Sequence, residues 1–428
     1  MNLKKKTRKV LKRIKKSAFR FAKKHHTFRL FLRRLLHVKR IITYKLRSMG
    51  VKTDEKTILF SSFDGRKFSC SPKAIYQYMV NSDEFKNYNF VWAFRNPKKY
   101  KFLKNNNNTT VIKSRGKKFE KTLAKAGFWI YNYRILDHIY PKKDQVYVQC
   151  WHGTPLKKLG YDLEYTKNAT NTQKEICRKY RIDAKKFTHM ISPSSFASEK
   201  FISAWNLKAI GKEDCVVEEG YPRNDFLFNY TQDDVEKIKK KLKIDDTEKK
   251  VILYAPTWRD NQHVATVGFT YKTEVDFDKL REKLGDDYII LFRAHYLVSN
   301  SFDFDKYEGF IYNVSNYDDI NELYIASDLL VTDYSSVFFD FANLKKPIIF
   351  YMYDYEFYKD ELRGFYFDID TLPGEIVKTD NDLIEEIFKS KTSFKIDERY
   401  QIFCDKYNYL DDGNATKRVV HKIFKDIK

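Results

Sequence analysis

Five short stretches place groups that bind anions or move protons directly behind a β-like apolar run. After "VYVQC" come Trp151, His152, Gly153, Thr154, Pro155 and Leu156, and after "CVVEEG" come Tyr221, Pro222, Arg223, Asn224 and Asp225. After "VILYA" come Pro256, Thr257, Trp258 and Arg259; after "YIILF" come Arg293, Ala294 and His295; after "DLLVT" come Asp333, Tyr334, Ser335 and Ser336. A neutral imidazole of ordinary pKa, about 6.5, accepts a proton at cytosolic pH. Arginine matches phosphate charge, and N–H groups with hydroxyls at the start of a helix make a phosphate seat.

Taken singly, each has an ordinary explanation. A lone strand-end histidine is commonly a hydrogen-bonded structural residue, and Ser335-Ser336 can simply cap the helix that follows. Surface arginines form ion pairs worth under about 1 kcal/mol. Asp340, one turn into that helix, suits either acceptance from ribose and substrate hydroxyls or a buried cap or ion pair. Joint placement shifts the balance, because open α/β sheets bind ligands beyond the carboxyl ends of their strands.

The elements that must position these groups are legible as period and composition. Strands are expected at 57–62, 89–94, 109–114, 128–133, 146–150, 189–194 and 215–220, then again at 251–256, 288–295, 310–315, 328–333 and 347–353. Helices are expected at 72–80, 117–126, 171–182 and 195–204, and at 276–284, 318–327, 336–344 and 380–390. Val/Ile-rich strands alternating with helices argue for parallel sheets covered on both faces. The charged segment 233–250 has little core-forming face and reads as a hinge. A chain of 428 residues exceeds one ordinary core. The reading is therefore α/β, with two Rossmann-like domains at 51–232 and 233–428 facing a cleft.

The net charge of +24 belongs to a tail. Residues 1–50 hold 19 Lys and Arg and no acid, which leaves +5 for the other 378 residues. Val10, Ile14, Phe21, Phe28, Leu32, Leu35, Ile42 and Leu46 recur there at helical spacing. A basic amphipathic helical region at 1–50 suits an anionic membrane surface, each basic residue near it adding about 1 kcal/mol. Phosphate binding alone needs no apolar stripe, so nucleic acid is not the expected partner; docking on the protein's own body is the remaining alternative. No apolar run approaches the roughly 18 residues of a membrane span.

Other classes lose support. GxGxxG, GxxxxGK[ST] and HExxH are absent, against dinucleotide oxidoreductases, P-loop NTPases and zincins. Five scattered cysteines form no CxxC pair and suit reduced cytosolic thiols. Three Asp-x-Asp triplets occur, beginning at Asp276, Asp303 and Asp368, and Asp276 reads better as a helix cap than as a metal ligand. No cofactor motif is present, and the residues leave metal need and oligomeric state, monomer or homo-oligomer, open.

"FDGRKFSCSPKAIYQYM", "WHGTPLKKLG", "YAPTWR", "LFRAH", "DINELYIASDLLVTDYSSVFFDFANLKKPIIFYMYDYEFYKDELRGFYFD" and "DDGNATKR" resemble the CDP-glycerol glycerophosphotransferase family, the teichoic acid primases and polymerases of Gram-positive bacteria. The resemblance spans most of 56–425 and implies a GT-B fold with an added N-terminal membrane-association region. It also implies a peripheral enzyme at the cytoplasmic face of the membrane. The implied reaction moves glycerol phosphate from CDP-glycerol to an undecaprenyl-linked polymer or primer and releases CMP. CDP-ribitol is the alternative donor, since both share the CDP end. By motif, Trp151, the His152–Leu156 loop, Arg223, Thr257, Trp258, Arg293, Ala294, His295, Ser335, Ser336 and Asp340 would contact the donor. His152 is the expected base and His295, with Arg293, the group that steadies the phosphates or protonates the leaving CMP. The family often has Pro after that second histidine; here Tyr296 follows.

Overall fold

The computed structural model describes residues 26–163, 172–257, 263–264, 268–269, 275–294, 302–355 and 364–425. Seven strands form a first sheet: β1 (Asp54–Ser61), β2 (Asn89–Phe94), β3 (Thr109–Lys113), β4 (Ala126–Tyr131), β5 (Val146–Gln149), β6 (His189–Ser192) and β7 (Val216–Glu218). Their spatial order is β3-β2-β1-β4-β5-β6-β7, and every neighbouring pair is parallel. After the helix Gln232–Leu242, opened by a capping box between Thr231 and Asp234, the alternation restarts.

The second sheet holds β8 (Lys250–Ala255) and, beyond a two-residue antiparallel pair β9 (His263–Val264) and β10 (Gly268–Phe269), the strands β11 (Tyr288–Phe292), β12 (Ile311–Asn313), β13 (Leu329–Thr332), β14 (Ile348–Tyr351) and β15 (Glu375–Val377). Its order is β12-β11-β8-β13-β14-β15, again all parallel. Both sheets start in the middle and wind outward in both directions, so each reverses direction beside its first strand. That reversal opens the crevice in which doubly wound sheets bind ligands.

All twelve apolar runs expected as strands are strands. β4 is buried at all six positions and β11 at all five, as strands covered on both faces must be. Pro193 follows β6 at once, which shortens the expected run because proline cannot donate to the ladder. β15 was not expected: it has three residues, two of them exposed, too little signal for a strand at the sheet's edge. The last helix, Ala415–Phe424, crosses back to the first sheet, where Val419, Val420, Ile423 and Phe424 enter the core and Phe424 stacks on Phe128 at 4.3 Å. So the end of the expected second span, 233–428, completes the first unit.

The two units are tied by buried polar groups. Arg223 Nη2, behind β7, donates to both carboxylate oxygens of Asp340 in the helix Val337–Phe341, at 2.8 and 3.0 Å. Asn224 bridges Asp340 and Asp411 at 3.1 and 2.6 Å, and Asn343 also donates to Asp411 at 2.9 Å. Arg223 and Asp340 are only 5% and 6% exposed, so neither charge has water to fall back on. Burial opposes the Arg223 charge and Asp340 more than restores it. Breaking such a pair from one side costs about 3–5 kcal/mol, whereas apolar replacement of both is often neutral. Asp340→Ala is therefore expected to lower unfolding free energy by about that amount in a urea titration. Arg223→Met combined with Asp340→Leu should recover most of the loss, and a neutral Asp340→Ala would show that the pair does not secure the junction.

Candidate active site

The loop after β5 leaves the first sheet and ends in the core of the second. Trp151 makes the turn in the left-handed region, at φ 48°, with its N–H held by Gln149 Oε1 at 3.0 Å. A bulky residue holds that conformation only where its surroundings impose it. The half-buried Trp151 ring packs edge-on against Trp205 of the first core at 4.8 Å. With the tryptophan fixed on one side, His152 is turned into the cleft. Leu156, 5% exposed, is packed in the second core. Beyond it Lys157 bridges Phe365, Lys158 N–H donates to Gly364 O and Tyr366 N–H to Leu156 O, each at 2.9 Å.

Gly153 packs against Ser336 of the second unit. A Cβ built on it would sit 2.9 Å from Ser336 Oγ, so the position has no room for a side chain unless Ser336 moves. Around this contact lies a cavity of about 430 Å³. Residues 151–157 wall it from the first unit; Ala255, Pro256, Thr257, Arg293, Ala294 and Tyr334 to Val337 wall it from the second. Strand ends of two different sheets thus open onto one space.

The histidine's protonation is set by geometry. His152 Nδ1 lies 2.8 Å from the backbone oxygen of Asn132, just past β4. A carbonyl oxygen only accepts, so Nδ1 carries the proton and Nε2 keeps its lone pair. Burial pushes the imidazole down to about 4, the Asn132 bond pulls it back up, and the Arg223 charge lowers it further. At neutral pH the ring is uncharged and Nε2 is a ready proton acceptor.

The second unit supplies positive charge and hydroxyls. Arg293 Nη1 donates to Val314 O and Tyr317 O at 3.3 and 3.1 Å, and among the described residues it has no carboxylate ion pair. Burial lowers its pKa, with Tyr324, Asp319 and Asp318 pulling the other way. Lys67, from the first unit, reaches the same Tyr317 carbonyl at 2.7 Å, and burial followed by the Arg293 charge pushes it down to about 8. Two cations with little compensation at one point make a site for an anion. Ser336 occupies the N-cap position of Val337–Phe341 but its hydroxyl makes no capping bond. Thr257 N–H donates to Asp333 Oδ1 at 2.7 Å, which ties the ends of β8 and β13 together.

Of the residues singled out by sequence, Trp151 to Leu156, Thr257, Arg293, Ala294, Ser335 and Ser336 wall the large cavity. Arg223 and Asp340 wall a smaller chamber next to it, also bounded by His152, and there they are spent on each other. Trp258 and His295 lie outside the described residues. The triplets resolve locally: Asp276 caps the helix Phe277–Leu284 and Asp368 caps a short turn through Asp370 N–H. Asn132 and Lys67 were missed. Asn132 acts through its backbone, which no side-chain pattern reveals, whereas Lys67 lay inside "FDGRKFSC" and was available to be read.

Residues 43–425 match the family described as CDP-Glycerol:Poly(glycerophosphate) glycerophosphotransferase. The chain is 40% identical over 387 residues to a teichoic acid poly(glycerol phosphate) polymerase of Bacillus spizizenii, covering 90% of this chain and 96% of that one. It is 37% identical over 399 residues to the teichoic acid glycerol-phosphate transferase of Staphylococcus aureus, covering 92% and 99%. A solved structure of the wall teichoic acid polymerase TagF, a histidine-to-asparagine variant soaked with CDPG, superposes with a TM-score of 0.81 at 36% identity over 93% of this chain and 97% of that one. With its two facing Rossmann-like units, the chain belongs to the CDP-glycerol glycerophosphotransferase family and is an enzyme of that class.

Proposed function

We propose that this enzyme transfers glycerol phosphate from CDP-glycerol to a lipid-linked teichoic acid or related cell-surface polymer, at the cytoplasmic face of the membrane, and releases CMP. One observation carries the reading: His152 from the first unit and Arg293 and Ser336 from the second open onto the same cavity. The CDP end is assigned to the second unit and the acceptor to the first. Glycerol rather than ribitol is favoured because four relatives named for glycerol phosphate are 37–40% identical over at least 90% of this chain, whereas a ribitol-phosphate polymerase matched over 92% of it is only 27% identical.

The chemistry asks for one proton to leave and one charge to be matched. As the acceptor hydroxyl oxygen bonds to the phosphorus that bears glycerol, its proton passes to His152 Nε2. The phosphorus–oxygen bond to CMP breaks, and CMP departs with the electron pair. Arg293 and Lys67 match the charge that grows on the phosphates, and the hydroxyls of Ser335 and Ser336 and the Thr257 edge orient them. His295, placed by sequence just after Ala294, is assigned to the leaving CMP. A base that titrates near 4 is weak until the donor arrives; the donor's negative charge beside it favours imidazolium and raises its basicity when the proton must move.

The helix His26–Ser48 supports membrane attachment. It docks by one face, through buried Tyr44 and an ion pair from Arg47 to Glu120 at 2.8 Å. Phe31, Leu35, Val38, Ile42 and Leu46 recur on the other face and are 46–64% exposed. The apolar stripe therefore points away from the body. The first 25 positions, with Val10, Ile14 and Phe21, lie outside the described residues.

His152→Ala is expected to lower kcat at least a hundredfold while thermal unfolding stays near the parent's. Near-normal CMP release by that variant would remove the base assignment. Because the free-enzyme imidazole titrates near 4, kcat/KM should stay flat through neutral pH and fall only as pH approaches that value. The acid limb of kcat should lie at higher pH, since the bound donor raises the same group. For the membrane, Leu35→Glu with Ile42→Glu should abolish co-flotation with phosphatidylglycerol vesicles and leave CDP-glycerol binding unchanged; unchanged flotation would contradict the anchoring role.

A further inference from the structure

Next to the large cavity, sharing His152, Arg293, Ile320, Ser336 and Val337 with its wall, lies a chamber of about 130 Å³. Three of the side chains that wall it carry a buried oxygen with no hydrogen-bond partner among the described residues: Ser69 Oγ, Asn321 Oδ1 and Tyr324 OH. Arg223 Nε, in the same wall, is a buried donor without an acceptor. Ser69, Asn321 and Tyr324 are 2%, 2% and 0% exposed. A buried polar atom left unpaired costs about 1–3 kcal/mol, and native structures keep few of them. Four around one chamber next to the reacting groups mark it as a place where partners arrive with the substrate.

The chemistry of the set selects the ligand. Asn321 Oδ1 only accepts and Arg223 Nε only donates, while the Ser69 and Tyr324 hydroxyls do both. Asn321 cannot turn its amide round without losing the bond from its Nδ2 to Arg223 O at 2.7 Å. A phosphate has no proton for Asn321, and the Arg223 charge in the same wall is already matched by Asp340. A neutral group with adjacent hydroxyls satisfies donors and acceptors alike. We propose that this chamber is a polyol subsite, in which Ser69, Asn321 and Tyr324 read the hydroxyls of a glyceryl group held next to His152. The assignment rests on the glycerophosphotransferase reading above. The glyceryl group comes either from the donor or from the acceptor's chain end; both present the same hydroxyls.

A structural role and a ligand-reading role make opposite predictions. Hydroxyls that hold no protein partner contribute nothing to the fold, so Ser69→Ala and Tyr324→Phe should leave Tm unchanged or slightly raised. Each should raise a KM at least tenfold: that of CDP-glycerol if the donor's glyceryl group occupies the chamber, or that of a lipid-linked glycerol phosphate primer if the acceptor's does. Binding separates this from the reaction itself. Calorimetry with CDP-glycerol and with CDP, on the parent and both variants, reads the donor arm without turnover; the same titration with a soluble glycerol phosphate oligomer reads the acceptor arm. Loss of the glyceryl-dependent part of either affinity supports the subsite. Parent-like affinities and KM values in both arms mean that the chamber holds water only, and a fall in Tm matching the fall in activity means that the hydroxyls are structural; either result overturns the proposal. A parent protein that binds glyceryl ligands through these residues yet releases no CMP would instead count against the transferase reading alone.

Discussion

The loop from Trp151 to Leu159 has to satisfy two sheets at once. Its first residue, Trp151, is packed against the core of one unit and its sixth, Leu156, is buried in the core of the other. Between them His152 and Gly153 have no freedom to settle elsewhere. Gly153 is one of the points where the units touch, with Ser336 so near that an added carbon would displace its hydroxyl. Burying Leu156 is worth about 1.5–3 kcal/mol, enough to hold a nine-residue crossing in register. The histidine's tautomer depends on the same crossing, because only this placement brings Nδ1 to the Asn132 carbonyl.

Charge in the cleft follows a division of labour. Arg223 is neutralised by Asp340 and secures the junction, while Arg293 and Lys67 meet at the Tyr317 carbonyl with their charge only partly offset by Asp318 and Asp319. Asp318, Asp319 and Asp340 wall the small chamber together with His152, Arg223 and Arg293. Arginine at a strand end is therefore not one kind of signal: its neighbours across the junction decide whether it binds protein or substrate.

Much of this was legible in the chain itself. Continuous Val, Ile and Phe runs announced twelve strands, and the rule that ligands sit beyond strand ends pointed to the loops that wall the large cavity. What escaped notice depends on tertiary arrangement. Asn132 contributes a backbone oxygen, Ser69 and Tyr324 become informative only once their partners are found missing, and the return of Ala415–Phe424 to the first sheet leaves no mark in its helical period. Asp340 could be read as ligand or as ion-pair partner, and only the position of Arg223 on the other unit distinguishes the two.

The central claim, that both units grip one donor across a gap closed at Gly153 and Ser336, is tested most directly by a double-mutant cycle on CDP-glycerol affinity. Gly153→Ala, Ser336→Gly and the pair would be titrated by calorimetry. A side chain forced into the contact should weaken binding at least tenfold, and removing the Ser336 side chain in the same molecule should relieve much of it, a coupling above about 1 kcal/mol. Effects that add within about 0.5 kcal/mol would mean that the two residues do not share a site, and the account would fail.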